Sequence, residues 1–185
     1  HVGLAGWLQE QSGASVIMSE TEYLDAFYPD ERGQIGSTFF REGMLSLGIT
    51  AAETDKLTPI LRFATEIPEP WPKVEFLQEN SLVLGDRTWE VVRTTGHTND
   101  HICLFNREEG LLLSGDQILP TISTVIQFPT SDSDNPLGQY LHSLTRLQQL
   151  NPARIMPAHG EPFNDLNARV DQLFQHHQER LQLII

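Results

Sequence analysis

Thr94-Thr95-Gly96-His97-Thr98-Asn99-Asp100-His101-Ile102-Cys103-Leu104 is the stretch on which both the fold and the chemistry of this chain turn. Behind it lies Thr88 to Thr94, rich in β-branched and aromatic residues; ahead of it Ile102 to Phe105 is apolar. The pattern predicts two strands joined by a polar turn, with His97 at the exit of the first. Gly96 beside it frees the backbone for a sharp bend. The same arrangement recurs twice. Leu111 to Ser114 leads into Gly115 and Asp116, and Arg154 to Ala158 leads into His159 and Gly160. Strand-end loops on one edge of a sheet are where open α/β folds collect their chemistry. Histidine and aspartate are also ligand types suited to Zn, Fe or Mn.

Around this nucleus the chain alternates. Ser81 to Leu84, a turn at Gly85-Asp86, and Thr88 to Thr94 read as a hairpin. Asp134 or Asn135 caps a helix with Pro136 in its first turn and Leu137, Tyr140, Leu141, Leu144 and Leu147 along one face. A last helix begins near Leu166, with Val170, Leu173, Phe174 and Leu181 expected on its buried side. On the N-terminal side, Leu4, Ala5, Trp7, Leu8 and Gln11 fall at helical spacing. Ala14 to Ser19 reads as a short strand, and Ser19-Glu20-Thr21-Glu22 starts a helix with acid in its first turn. Residues about 34 to 48 read as a Gly-interrupted helical stretch. Thr50-Ala51-Ala52-Glu53 is a capping box opening a helix through Leu61 and Phe63, which the Pro-rich Ile67 to Pro72 ends. Strands mixed with layered helices mean α/β or α+β.

Composition excludes several classes. The 185 residues (20.9 kDa) allow one domain with a sizeable core. At 39% hydrophobic the chain is no disordered tail. Its apolar runs, such as Val16 to Met18 and Leu111 to Leu113, reach only three or four residues, far short of the roughly 20 residues of a membrane span. Twelve Lys+Arg against 25 Asp+Glu give a net charge of −13, which disfavours a broad nucleic-acid surface. Cys103 is the single cysteine, so no internal disulfide can form. In its apolar run it reads as buried and inert, which together with the lack of a signal-peptide pattern suits a cytoplasmic setting.

Other polar residues carry weaker signals. Ser114 lacks the G-x-S-x-G elbow of a nucleophile. His176-His177 reads as a solvated helix face and His142 as structural. The chain opens inside or at the edge of a helix, without an initiating Met, and stops within an amphipathic pattern; both ends therefore read as cuts in a longer protein.

Taken together, the stretch Thr94 to Leu104, then Leu112-Leu113-Ser114-Gly115-Asp116, then Met156-Pro157-Ala158-His159-Gly160, resembles the later motifs of the metallo-β-lactamase superfamily. Their order and spacing are similar to the hydroxyacylglutathione-hydrolase-like, or glyoxalase II-like, branch. The opening His1-Val2-Gly3-Leu4-Ala5 is similar to the tail of the superfamily's HxHxDH signature, whose last His begins a helix. The resemblance implies an α/β fold, the metallo-β-lactamase-like αββα sandwich. Residues 1–185 would form an N-terminally truncated part of it. A helical, substrate-side region would cover about 19–66, and the second sheet with its flanking helices about 74–185.

The resemblance also implies a ligand set. His97 would serve a first divalent metal, His1 and His159 a second, and Asp116 would bridge both and be the catalytic carboxylate. The signature's two earlier His and its Asp would precede His1, so metal occupancy by these residues alone would be incomplete. Zinc is the foremost candidate, with Fe or Mn as alternatives. Imidazoles and a bridging carboxylate can hold two such ions roughly 3.5–4 Å apart and supply hydroxide at neutral pH. His101 is open to two readings, a residue orienting a ligand or a plain core histidine. The implied activity is hydrolysis of a small-molecule thioester or ester. A phosphodiesterase or ribonuclease of the same fold, and a non-catalytic interaction domain, are the alternatives. A sheet lacking its partner would be covered by a second copy of the chain or by a missing N-terminal segment.

Overall fold

The computed structural model describes residues 2–28, 43–46, 48–56, 67–126 and 135–183. The chain divides into two compact units, one running up to Leu77 and the other starting at Gln78. Among the described residues no helix is long and apolar enough to cross a membrane.

In the first unit, helix α1 (Ala5–Ser12) ends at Gly13, which takes a left-handed conformation and donates its amide to the Gln9 carbonyl. The Gln9 side chain clasps the backbone of Lys73 from both sides. It accepts from the Lys73 amide at 2.7 Å and donates to the Lys73 carbonyl at 2.9 Å. Strand β1 (Val16–Met18) is shorter than the expected Ala14 to Ser19, because Ser19 is already the cap of helix α2 (Glu20–Phe27) and accepts from the Glu22 amide. Strand β2 (Val74–Phe76) pairs in parallel with β1, Val16 opposite Val74. This corrects the expectation that residues from about 74 onward enter the larger sheet. The capping box is present, with Thr50 and Glu53 exchanging bonds between backbone amides and side-chain oxygens. The helical stretch expected over 34–48 lies outside the described residues except at 43–46 and 48, and Leu61 and Phe63 lie outside them as well.

The second unit is built on a five-stranded sheet. Its strands β3 (Ser81–Leu84), β4 (Arg87–Thr94), β5 (His101–Asn106), β6 (Leu111–Gly115) and β7 (Arg154–Pro157) lie in sequence order. The first three pairings are antiparallel and the last, β6 with β7, is parallel. A parallel neighbour needs a crossover, and helix α3 (Pro136–Leu150) lies within it. Its cap is Asn135, whose side chain accepts from the Gly138 amide; Asp134 lies outside the described residues. Helix α4 (Leu166–Gln182) follows β7, capped by Asp165.

Alternation along the strands sends Cys103 and Phe105 of β5, Leu112 of β6 and Ile155 of β7 into one core with Tyr140, Leu144 and Leu147 of α3 and Val170 and Leu173 of α4. Phe174 and Leu181, expected on the buried side of the last helix, are exposed. Leu112 lies at the centre of this core, fully buried, with Phe105 and Ile155 as its cross-strand partners. Leu112→Ala should destabilise the protein by about 2–5 kcal/mol, the cost of the lost transfer energy plus a cavity that rigid neighbours cannot close. Urea unfolding would measure it, and a loss below about 1 kcal/mol would show that this position collapses freely.

The register brings three strand exits to one end of the sheet. Thr94 closes β4 opposite His101, the first residue of β5, and Gly115 closes β6 beside Pro157 of β7. Continuing the β5–β6 register past Leu104 and Leu113 brings His101 opposite Asp116.

Candidate metal centre

His97, Asp116 and His159 meet at that end. His159 Nε2 lies 3.5 Å from Asp116 Oδ1, and His97 Nε2 lies 3.7 Å from Asp116 Oδ2. Each carboxylate oxygen therefore faces one imidazole. The Asp116 side chain is only 6% exposed and that of His97 18%, whereas His159 at 56% is open to solvent. Among the described residues no three His, Cys, Asp or Glu side chains close around a single point. The arrangement is instead two imidazoles on opposite oxygens of one carboxylate. His1 lies outside the described residues.

The surrounding structure fixes these groups. Gly96, at φ +105°, lets the backbone turn directly beneath α3, where a Cβ would come within 2.4 Å of Tyr140 Cβ. The Thr95 amide donates to Ser143 Oγ on α3, and Gln117 Nε2 donates to the Thr95 carbonyl. Arg93 and Asp100 form an ion pair across the base of the loop. On its far side His97 Nδ1 is 2.9 Å from the Val125 carbonyl and 3.0 Å from Thr124 Oγ1. A carbonyl only accepts, so Nδ1 carries a proton and Nε2 is the nitrogen turned toward Asp116. The donor set thus fits a divalent metal, in the pattern where a ligating histidine gives its other ring N–H to a carbonyl. Arg169 of α4 steadies the segment that carries these partners, donating to the carbonyls of Leu119 and Ile122.

The other candidates separate cleanly. Ser114 is fully buried and donates to the Ile118 carbonyl, so its hydroxyl is structural. Cys103 is buried, donates to the Ser114 carbonyl, and burial pushes its thiol up to about 12, which leaves it unreactive. His142 is exposed on α3. His177, expected on a solvated face, is half-buried with its ring in a T-shaped contact with Tyr140. His101 is held neutral. Burial, with His97 nearby, pushes its imidazole down to about 4.

Thr124, the Val125 carbonyl, Gln117, Ser143 and Arg169 were not singled out from sequence. Most of their contacts end on backbone atoms, which leave no residue-type signal.

With this geometry in place, comparison with known proteins identifies the class. Residues 1–159 match the family model described as the metallo-beta-lactamase superfamily. The chain belongs to that superfamily and has its α/β fold. It is 30% identical over 146 residues to a probable metallo-hydrolase of Bacillus subtilis, YqjP, covering 77% of this chain and 46% of the relative. It is 31% identical over 131 residues to the beta-lactamase-like protein 2 homolog of Caenorhabditis elegans, covering 70% and 42%. Among solved structures, a metallo-beta-lactamase family protein of Thermus thermophilus, TTHA1429, superimposes with a TM-score of 0.73 at 27% identity over 99% of this chain and 58% of its own. A beta-lactamase domain protein from Burkholderia ambifaria gives 0.72 at 31% identity, covering 98% and 53%. The chain spans a little under half the length of the two relatives named first.

Proposed function

We propose that the protein is a metal-dependent hydrolase of small thioesters or esters, with His97, Asp116 and His159 among its metal ligands and His1 as a further one. The observation that carries this reading is the single buried carboxylate presenting one oxygen to each of two imidazoles. Two divalent cations, zinc foremost with Fe or Mn as alternatives, would supply hydroxide at neutral pH and Lewis-acid polarisation of the scissile carbonyl. The chain's own residues hold that chemistry in place. His97 is locked with its proton on Nδ1 by the Val125 carbonyl, so Nε2 is presented as a donor without rearrangement. Asp116 places one negative charge where two cations would otherwise repel each other. His159, on the solvent side, leaves an approach for substrate. Any remaining ligands would be those of the superfamily's HxHxD signature.

Two features favour the ester and thioester class. The Thr94 to Leu104 motif is similar to that of glyoxalase II-like enzymes, and the net charge of −13 repels polyanionic nucleic acid. The name of the Bacillus subtilis relative, a probable metallo-hydrolase, supports hydrolysis in general. The single buried cysteine suits a reducing, cytoplasmic setting. The test is hydrolysis of an acyl-glutathione thioester, a nitrophenyl ester and bis(nitrophenyl) phosphate by the full-length protein, before and after chelation. Thioester or ester turnover that disappears on chelation and returns with added zinc, iron or manganese is the expected result. Preference for the phosphodiester would favour the ribonuclease-like alternative. A metal-free protein with no turnover on any of the three would favour an interaction domain.

A further inference from the structure

We infer that His101 is a positioning residue, a neutral imidazole fixed as its Nδ1–H tautomer that takes the backbone amide of Asp116 on Nε2 and so holds the bridging carboxylate in place. The inference rests on the proposed role of Asp116 and extends it to a residue that makes no contact with the reacting atoms. Both ends of the ring point to the same tautomer. At one end the Asp116 N–H, which can only donate, lies 3.3 Å from His101 Nε2, so Nε2 must accept. At the other end Nδ1 faces Thr94 Oγ1 at 3.3 Å and Cys103 Sγ at 3.8 Å. The protons of both neighbours are committed elsewhere. Thr94 Oγ1 donates to the His101 carbonyl at 3.1 Å, and Cys103 Sγ donates to the Ser114 carbonyl at 3.4 Å. Only acceptor capacity remains around Nδ1, so the ring proton sits there. Free imidazole side chains in water favour the other tautomer, which makes this an imposed state rather than a default.

The sequence around Asp116 is shaped for this contact. A Cβ on Gly115 would lie 2.5 Å from His101 Nε2 and 2.7 Å from Cε1, so the ring occupies the space that glycine leaves empty. The register between β6 and β7 slips between Leu113 and Gly115, so regular pairing ends just before Asp116. There the imidazole replaces the strand ladder as the acceptor for the chain that carries the carboxylate. The same ring makes a T-shaped contact with that of His97, with centroids 5.8 Å apart. His101 therefore touches the supports of two proposed ligands.

The test has two arms. Nitrogen-15 NMR of the unmodified full-length protein, metal-free and at neutral pH, should show the His101 proton on Nδ1 and Nε2 as an unprotonated acceptor. Zinc affinity, measured by competition with a chromophoric chelator, should fall about 10–100-fold in His101→Leu. In His101→Gln, whose side-chain oxygen can still accept from the Asp116 amide, it should recover most of that loss. Thermal unfolding of each variant separates a loss of fold from a loss of positioning. A proton found on Nε2 overturns the inference outright. So does a folded His101→Leu protein that binds zinc within about threefold of wild type, or a Gln variant no better than Leu. An unmodified protein that takes up no zinc defeats the ligand reading of Asp116, and with it the effect on affinity, whatever the tautomer proves to be.

Discussion

Asp116→Ala in the full-length protein is expected to remove both metal retention and hydrolysis, whereas His142→Ala, on the exposed side of α3, should leave both near wild type. The asymmetry follows from where the two side chains sit. Asp116 is buried at the exit of β6 and presents its two oxygens to His97 and His159, 3.7 and 3.5 Å away. On the proposed reading, removing it would take a negative charge from between two dications, whose repulsion would then go uncompensated. Changes to groups that merely orient ligands already cost 10–100-fold in metal affinity, so loss of the bridge itself should exceed about 100-fold. Elemental analysis after dialysis and a thioester assay read the two effects. Cooperative unfolding of the metal-free variant, as in wild type, would exclude a collapse of the fold. Full turnover in Asp116→Ala would end the two-metal reading, and equal losses in both variants would mean a general folding defect.

Much of the architecture around this residue was legible because strong local signals agreed with one another. The hairpin at Gly85-Asp86, the caps at Ser19 and Asn135 and the Thr50–Glu53 box are short-range chemistry that tertiary structure had no reason to override. The three strand exits were legible for the same reason, since each pairs an apolar run with a glycine and a ligand-type residue. The pairing of Val74–Phe76 with Val16–Met18 was not. A three-residue parallel pair joins segments far apart in the chain, and neither partner's composition specifies the other. The supports of the site were equally silent. Thr124 and Val125 reach His97 through one hydroxyl and one carbonyl, and Arg169 reaches Leu119 and Ile122 through carbonyls. His101 lay between these cases. Its type was visible, but the choice between core filler and ligand support depended on which nitrogen meets the Asp116 amide.

Gly96→Ala is expected to be the most destabilising single-methyl addition around the site, at about 3–5 kcal/mol, because overpacking and an unfavourable φ act together. The added Cβ would meet Tyr140 Cβ at 2.4 Å, Tyr140 Cα at 2.5 Å and Tyr140 N at 2.6 Å. Two of those atoms belong to the backbone of α3, so no rotamer change can relieve the contact. The helix would have to move away from β4. Leu144 and Leu147 hold it in the core, and the bond from the Thr95 amide to Ser143 Oγ would stretch with any such movement. The backbone at φ +105° adds a conformational penalty of its own. Gly85→Ala separates the two contributions. Gly85 also has a positive φ, +65°, but nothing lies within 4 Å of its missing Cβ, so the cost there should be only the roughly 1–2 kcal/mol of a left-handed L-residue. Denaturant unfolding of the two variants gives the difference directly. Because Gly96 adjoins His97, the first variant should also lose metal while the second keeps it. Equal destabilisation by the two alanines would mean that α3 yields easily at Tyr140. In that case the close packing of helix on loop could not be what holds His97 in position.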